Sequence, residues 1–271
     1  MWYAYRVSTI REAASVILLR EATSGFEVFL LRRHRSASFM ASAYVFPGGA
    51  TEAGEDARTA AARELFEEAG VLLARDSGAQ NETLQVRSQE SLRHKVLTGT
   101  PAAAVLELAG LAWATDGLVP WAHWITPSVE TKRFSARFFV GEMPAGQTPK
   151  FDATETVDQV WVTPSDGLAR AGELALPPPQ VRTMWELAQY GSIKDVMAAA
   201  KKRSEEPHPI MPRLAPPGEG ETGPMLLLPW DPEYTDRGTG EATPLAYRPS
   251  WALGPSRFKF SDKEWKHFAA P

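Results

Sequence analysis

The sequence predicts an α/β (α+β) protein in which short strands and helices alternate along most of the 271 residues. Apolar runs rich in β-branched and aromatic residues recur along the chain, and such runs are typical of strands. Segments rich in alanine, leucine and glutamate separate them and carry helix-capping residues at their ends. Hydrophobic residues make up 44% of the chain. That is enough for a full core, so the fold does not depend on disulfides.

The first elements are two strands joined by a turn. Ala13–Leu19 and Phe26–Leu31 are apolar runs, and the Ser24-Gly25 pair between them suits a turn. Later apolar runs with the same composition are predicted to be strands as well: Val119–Ile125, Ala136–Val140 and Val157–Val162.

The clearest helix is Asp56–Ala69. Asp56 is a favourable N-cap, alanine and glutamate fill the interior, and Gly70 stands where a left-handed residue ends a helix. A looser helix begins near Ser88. The other predicted helices are Ala102–Ala114, with Thr100 and Pro101 as its start, Ser165–Ala171, Gln180–Tyr190 and Ile193–Arg203.

Composition divides the chain into a main domain, residues 8–203, and a C-terminal arm, residues 204–271. The region from residue 205 onward holds twelve of the 22 prolines. A proline-rich region is often disordered, but this one also contains many aromatic residues. We therefore expect an ordered, irregular arm that packs on the main domain or on a second subunit.

Charge and cysteine content exclude several classes of function. The net charge of −4 argues against a general nucleic-acid binder. The absence of cysteine excludes disulfides, thiolate metal sites and a cysteine nucleophile. The N-terminal sequence lacks the pattern of a secretory signal, and no stretch approaches the roughly 18 apolar residues of a membrane span. We expect a cytoplasmic protein with no membrane and no nucleic-acid partner.

Three carboxylates share one side of the predicted helix 56–69. Residues three and four apart on a helix are neighbours, so Glu64, Glu67 and Glu68 project together, while the opposite side is apolar. Each carboxylate pair at 4 Å costs on the order of 4 kcal/mol at an effective dielectric constant near 20. A hard divalent cation relieves this repulsion, and Mg²⁺ or Mn²⁺ prefers such oxygen ligands. The alternative interpretation is a solvated acidic face.

The residues around these carboxylates follow the spacing of a known motif. Gly49, Glu55, Arg63-Glu64-Leu65, Glu67-Glu68 and Gly70-Val71 resemble the complete Nudix box, residues 49–71. The resemblance implies an α/β/α sandwich with a mixed β-sheet. It also implies hydrolysis of a nucleoside diphosphate derivative, a small-molecule substrate, by attack of water on phosphorus with Mg²⁺ or Mn²⁺ as cofactor.

The resemblance assigns roles by motif position. It gives metal binding to the carbonyl of Gly48 and to the carboxylates of Glu55, Glu64, Glu67 and Glu68. Arg63 would orient the carboxylates. The general base of this family varies between members, so it is either a box residue such as Glu64 or a glutamate on a later loop. Our later-loop candidate is Glu155, which could equally be a solvated loop residue.

The segments flanking the box resemble the Nudix branch that includes coenzyme A diphosphatases, although the box here lacks the insertion found in mammalian members of that branch. This implies CoA or acyl-CoA as substrate, with 3′,5′-ADP and a phosphopantetheine as products. Arg33, Arg35 and Arg133 are candidates to bind its phosphates, and Phe46, with Phe39 and Tyr44, to stack on its base. The alternatives are surface charges for the arginines and core positions for the aromatic residues.

Two further expectations concern the rest of the chain. The region from about residue 75 to 118 is longer than a bare Nudix core needs, and we expect a helical insertion that shapes the substrate pocket or a dimer interface. A homodimer rests on family analogy alone. Other functions stay open: a pyrophosphatase acting on ADP-ribose, NADH or nucleotide sugars, or a non-catalytic ligand-binding module. Three repelling carboxylates on one face argue against the last.

Overall fold

The computed structural model describes residues 9–37, 40–78, 88–217 and 223–270. The strands in these ranges are β1 (Ile10–Glu21), β2 (Phe26–Arg33), β3 (Tyr44–Val45), β4 (Gly48–Ala50), β5 (Ala74–Asp76), β6 (Leu111–Trp113), β7 (Val119–Ile125), β8 (Arg133–Glu142), β9 (Thr156–Val162), β10 (Pro209–Ile210), β11 (Arg213–Ala215), β12 (Met225–Leu227), β13 (Arg257–Ser261) and β14 (Glu264–Phe268).

The helices in the same ranges are α1 (Ala57–Ala69), α2 (Gln89–Leu97), α3 (Ala102–Leu108), α4 (Pro164–Ala169), α5 (Pro178–Leu187), α6 (Ile193–Arg203) and α7 (Tyr234–Arg237), with a short 3₁₀ helix at Thr115–Gly117. Among the helices described, none has the length and apolar character needed to cross a membrane.

The central sheet of the described chain has eight strands and is mixed, as the resemblance implies. Its main order is β10-β7-β8-β1-β2-β3, with β4 paired to β1 and β9 paired to β2. Strand β1 runs parallel to β8, and β10 runs parallel to β7, whereas the other neighbours are antiparallel.

Helices cover both faces of this sheet because its central strands are apolar on both sides. On β1, Val16 and Leu18 pack in the cluster that contains α1, whereas Ile17 and Leu19 pack in the cluster that contains α5 and α6. This alternation follows from the two-residue period of a strand. The α/β/α sandwich predicted from the sequence is therefore confirmed.

A gap between β1 and β2 admits β4, the strand that carries Gly48 and Gly49. The two strands pair only at the hairpin, from Leu19 to Glu21 on β1. Further along, β4 pairs with Ala13–Ser15 of β1, and β3 pairs with the end of β2. Gly48 and Gly49 are thereby held at the sheet, beside α1.

The insertion predicted at about residues 75–118 contains α2 and α3, and α2 begins after Ser88 as expected. The helix predicted over Ala102–Ala114 is too long. It ends at Leu108, Gly110 then adopts a left-handed φ of 70°, and the chain continues into β6, which pairs with β5. Pro101 is the N-cap, and the side chain of Thr100 does not cap the helix.

The C-terminal region packs on the main domain. Trp230, Ala252 and Phe258 belong to the same buried cluster as Val181 and Met184 of α5. The region has long irregular stretches, but it also forms a four-stranded antiparallel sheet, β11-β12-β13-β14. Three-residue strands such as β11 and β12 are too short for an alternating pattern to be seen in the sequence. The boundary at residue 204 stays a prediction.

Candidate functional site

Helix α1 begins and ends where its capping residues indicate. The carboxylate of Asp56 accepts hydrogen bonds from the backbone N–H groups of Arg58 and Thr59, at 2.9 and 3.1 Å. Gly70 takes the left-handed conformation at the other end, with φ of 69°. Leu65 and the alanines pack on the sheet. The side of α1 that carries the glutamates consequently lies next to β4.

Arg63 links the predicted carboxylates to one another. Its Nε and Nη2 each donate to Glu55 at 3.0 Å. Its Nη1 donates to Glu64 at 2.8 Å and to Glu67 at 3.1 Å. Nη2 also donates to the carbonyl of Ala50 on β4, at 2.9 Å. One buried guanidinium thus neutralises part of the charge of three glutamates and fixes them beside β4.

Gly48 and Gly49 allow the β4 backbone to approach β1 and α1 closely. The N–H of Gly48 donates to the Glu68 carboxylate at 2.9 Å. A Cβ on Gly48 would lie 2.2 Å from Oγ of Ser15, and a Cβ on Gly49 would lie 2.6 Å from the Glu64 carboxylate. A side chain at position 49 would therefore push Glu64 away from the strand, and one at position 48 would clash with β1.

Burial at this position disfavours the charged forms of the three α1 glutamates. Burial raises the pKa of Glu64 to about 7, against the opposing effect of Arg63. Burial, followed by the charge of Glu64, raises the pKa of Glu68 to about 8. Burial also raises the pKa of Glu67. These groups form a cluster of negative charge that a cation would stabilise.

Glu155 lies close enough to the box to affect it electrostatically, because its charge contributes to the raised pKa of both Glu64 and Glu68. The side chain is exposed. Its loop is built on Asp152, whose carboxylate accepts the backbone N–H groups of Glu155 and Thr156, at 3.0 and 2.8 Å. Sequence reasoning missed Asp152, although an aspartate that bonds the backbone two to four residues on is typical of such turns.

Arg33 and Arg35 lie beside this loop at the end of β2. The N–H of His34, between them, donates to the carbonyl of Glu155 at 2.8 Å. The positive charge of Arg33 opposes the rise in the pKa of Glu68, so its guanidinium lies near enough to the box to interact with it electrostatically. Its Nε is buried without a hydrogen-bond partner among the described residues. Arg35 is exposed.

Two residues predicted to bind the substrate, Phe46 and Arg133, are buried in the structure. Phe46 is only 2% exposed and packs edge-to-face on Phe138 in the core, with ring centres 5.6 Å apart, so it cannot stack on a base. Arg133 is 7% exposed, and it donates to the carbonyl of Thr126 and to Sδ of Met211. These two predictions are wrong because the covering elements, which decide burial, come from distant parts of the chain. Phe39 lies outside the described residues.

The donor set fits a hard divalent cation in its chemistry, since carboxylate oxygens and a backbone carbonyl are the ligands that Mg²⁺ and Mn²⁺ prefer. Over the described ranges, no three Asp, Glu, His or Cys side chains already stand in the arrangement of a metal site. Arg63 accounts for this, because it holds Glu55, Glu64 and Glu67 towards its own guanidinium. Metal binding would require those carboxylates to turn.

Comparison with known proteins agrees with this geometry. A family model described as the NUDT19 Nudix domain matches residues 53–187. "Putative nudix hydrolase 7" of Caenorhabditis elegans is 34% identical over 69% of this chain, and the match spans 63% of that relative's length. "Acyl-coenzyme A diphosphatase NUDT19" of Xenopus laevis is 25% identical over 79% of this chain and 73% of its own.

A solved structure extends the comparison to the fold. The crystal structure of a NUDIX hydrolase from Alicyclobacillus acidocaldarius has a TM-score of 0.60 and 25% identity, over 70% of this chain and 96% of that one. The chain belongs to the Nudix hydrolase family.

Proposed function

We propose that this protein hydrolyses the diphosphate linkage of a nucleoside diphosphate derivative of the CoA or acyl-CoA class, with Mg²⁺ or Mn²⁺. The observation that carries the proposal is the cluster of Glu55, Glu64 and Glu67 around Arg63. Glu68 of the same helix bonds Gly48 of β4 beside them. The substrate class is supported by the acyl-CoA diphosphatase name of the Xenopus laevis relative.

Nudix hydrolases generally use divalent metals. In this chain the ligands would be the carbonyl of Gly48 and the carboxylates of Glu55, Glu64, Glu67 and Glu68. When bound, the ion supplies positive charge that polarises the phosphoryl oxygens and lowers the pKa of water. Arg63 holds Glu55, Glu64 and Glu67 together and offsets their repulsion.

The remaining steps belong to side chains around the box. Glu155 accepts a proton from a water molecule while the water oxygen bonds to one phosphorus. The bond from that phosphorus to the bridging oxygen breaks, and the bridging oxygen leaves on the second phosphate. Arg33 and Arg35, at the end of β2, bind phosphate groups of the substrate.

The first experiment is hydrolysis of CoA with Mg²⁺ or Mn²⁺, with ADP-ribose and NADH in parallel and the products identified by mass. We expect 3′,5′-ADP and phosphopantetheine from CoA. Cleavage of only the other two compounds would keep diphosphate hydrolysis and reject the CoA class. No turnover of any compound, with Mg²⁺ bound in calorimetry, would favour a ligand-binding module.

A charge-removing variant tests the metal ligands directly. Glu68→Gln keeps the size and the acceptor oxygen that bonds Gly48, so the fold should survive. We expect metal-dependent turnover to be lost and thermal stabilisation by Mg²⁺ to disappear. Glu21→Gln, at an exposed position at the end of β1, should behave as wild type. A Glu68→Gln enzyme with wild-type rates at saturating Mg²⁺ would reject the assignment.

A homodimer and a cytoplasmic location are also part of the proposal. The homodimer rests on family analogy alone. Sedimentation equilibrium of the purified chain tests the first, with a monomer over the micromolar range as the contradicting result. Cell fractionation tests the second, with recovery in an organelle or membrane fraction as the contradicting result.

A further inference from the structure

The C-terminal end of α1 is bound by side chains of the helical insertion. The last four carbonyl groups of a helix have no partner within it. On α1, the carbonyl of Glu67 accepts both Nε and Nη2 of Arg93, at 3.1 and 2.7 Å. The carbonyl of Ala69 accepts the N–H of Lys150 at 2.8 Å, and the carbonyl of Gly70 accepts the side-chain amide of Gln89.

Arg93 binds the segment that leads to Glu155 as well as the helix. Its Nη1 donates to the carbonyl of Lys150 at 2.7 Å, and Lys150 stands five residues before Glu155. A single guanidinium therefore joins the backbone that carries Glu67 to the backbone that leads to Glu155. A Cβ on Gly70 would come within 2.9 Å of Nη1 of Arg93. The terminal glycine of the box thus serves both the left-handed turn and the approach of Arg93.

A second side chain fastens the start of the same loop. The amide of Gln147 accepts the N–H of Leu72 at 2.8 Å and donates to its carbonyl at 2.9 Å. Gln89 of α2 donates to Gln147 at 2.5 Å. The insertion accordingly contacts the segment 147–150 through both α2 residues, Gln89 and Arg93, and this segment leads directly into the turn built on Asp152.

We propose that Arg93 is a positioning residue, which sets the placement of Glu155 relative to the carboxylates of α1. The catalytic part of this inference rests on the proposed function. An arginine is suited to the task because its planar fork can bond two backbone segments at once, whereas a lysine offers a point charge. The insertion would then act on catalysis through the loop, without touching the substrate.

Helix capping alone is the competing explanation. A residue that only caps α1 would change the stability of the helix and leave the dynamics of the 152–156 turn unaltered. A positioning residue would alter that turn, and its effect on the rate would depend on the presence of Glu155. The two explanations therefore differ in measurements other than thermal stability.

The first test is hydrogen exchange in protein free of metal and substrate. Arg93→Met should accelerate exchange of the amides of Glu155 and Thr156, which bond to Asp152, at least ten-fold. Arg75→Met is the matched control, because Arg75 lies in the same insertion and pairs with Asp116. Unchanged exchange at the turn in Arg93→Met would overturn the proposal, whether or not any substrate is hydrolysed.

The second test is a double-mutant cycle with Glu155→Gln. We expect Arg93→Met to lower kcat by about 10- to 100-fold with KM near wild type, because small misplacements of catalytic groups have effects of this size. In the Glu155→Gln background the further loss should be below about two-fold.

Three results would overturn the proposal in this cycle: an equal loss in both backgrounds, no loss in Arg93→Met, or a wild-type rate in Glu155→Gln. Arg93→Lys should recover part of the rate, because a lysine can still donate to one carbonyl. If Arg93→Met does not fold, the double-mutant cycle is measured with Arg93→Lys and Glu155→Gln instead. Wild-type protein that hydrolyses none of the substrates would reject the proposed function, and the exchange result would still decide the role of Arg93.

Discussion

Arg63 and Glu55 form a two-pronged ion pair in which two guanidinium nitrogens each donate to one carboxylate oxygen at 3.0 Å. Glu55 precedes α1, so the pair fixes the loop before the helix to the helix itself. The backbone N–H of Glu52 donates to the same carboxylate at 3.0 Å. The spacing of seven residues between Glu55 and Arg63 in the box is thus explained by a direct contact.

Arg63→Met should destabilise the protein strongly. The substitution removes the buried cation shared by the partly buried Glu55, Glu64 and Glu67. Loss of one partner from a buried ion pair typically costs about 3–5 kcal/mol. Urea unfolding of the metal-free protein measures this loss. The unfolding free energy of Arg63→Lys should lie between those of wild type and Arg63→Met, because lysine keeps the charge but cannot form the two-pronged pair.

The control for this prediction is Arg170→Met, which removes an exposed pair with Glu173. Its unfolding midpoint should stay near that of wild type, because exposed pairs contribute little. An unfolding free energy of Arg63→Met equal to that of the control would contradict the role given to Arg63.

Gly49→Ala should keep the fold and disable the site. The added Cβ would lie 2.6 Å from the Glu64 carboxylate, which is the flexible end of a side chain and can move aside. We expect a nearly unchanged melting temperature together with loss of Mg²⁺ binding in calorimetry and of turnover. Gly117→Ala is the control, because a Cβ there meets open space. Wild-type metal affinity in Gly49→Ala would show that the position of Glu64 is unimportant.

Local signals account for the parts of the fold that the sequence predicts well. Asp56 and Gly70 cap α1 with side-chain and left-handed backbone geometry that depend only on neighbouring residues. The first hairpin follows from two apolar runs and the turn between them. The shared side of Glu64, Glu67 and Glu68 follows from helix periodicity, so their grouping needs no knowledge of tertiary structure.

Long-range packing determines the features that could not be predicted from the sequence. Phe46 lies between the short strands β3 and β4, and Arg133 begins β8, but the side chains that bury them come from distant regions, such as Phe138 for Phe46 and Met211 for Arg133. Arg93 bonds a carbonyl 26 positions away, and nothing in its local sequence distinguishes it from a surface arginine. Strands β3 and β4 have two and three residues and exist only because β1 and β2 diverge.

The C-terminal arm contributes to a buried network around Glu186. This carboxylate accepts Nε of Arg182 at 2.8 Å and pairs with Arg203 at 3.0 Å. The guanidinium of Arg182 lies 4.8 Å from the ring of Trp230, and that of Arg203 lies 4.6 Å from the ring of Trp251. Aromatic rings of the arm therefore cover charges of α5 and α6.

Trp230→Ala should destabilise the protein by about 3–5 kcal/mol, the usual range for a buried tryptophan. Deletion of residues 205–271 should be more severe, because it removes both rings and leaves Arg182 and Arg203 uncovered. Chemical unfolding measures both changes. Leu253→Ala, at a side chain that is 57% exposed, should have little effect. An unchanged melting temperature after the deletion would show that the arm is dispensable to the fold.

Stability should fall in mild acid through His267. Its Nε2–H donates to the carbonyl of Pro255 at 3.1 Å, and its ring stacks on Phe258 with centres 4.3 Å apart. Burial, together with the charge of Arg182, lowers the pKa of His267 from 6.5 to about 3. Below pH 6.5 the unfolded chain binds a proton that the folded protein excludes, so each pH unit down to about 3 favours unfolding by about 1.4 kcal/mol.

The matched substitution is His267→Phe, which keeps the stacking and removes the titration. Between pH 7 and pH 5, wild type should lose about 2 kcal/mol more unfolding free energy than this variant, as measured by urea denaturation at both values. His94→Phe, at an exposed position on α2, should retain the pH dependence of wild type. If wild type and His267→Phe lost the same free energy, His267 would have to be protonated in the folded state, and the stacked ring would have to accommodate a charge beside Arg182.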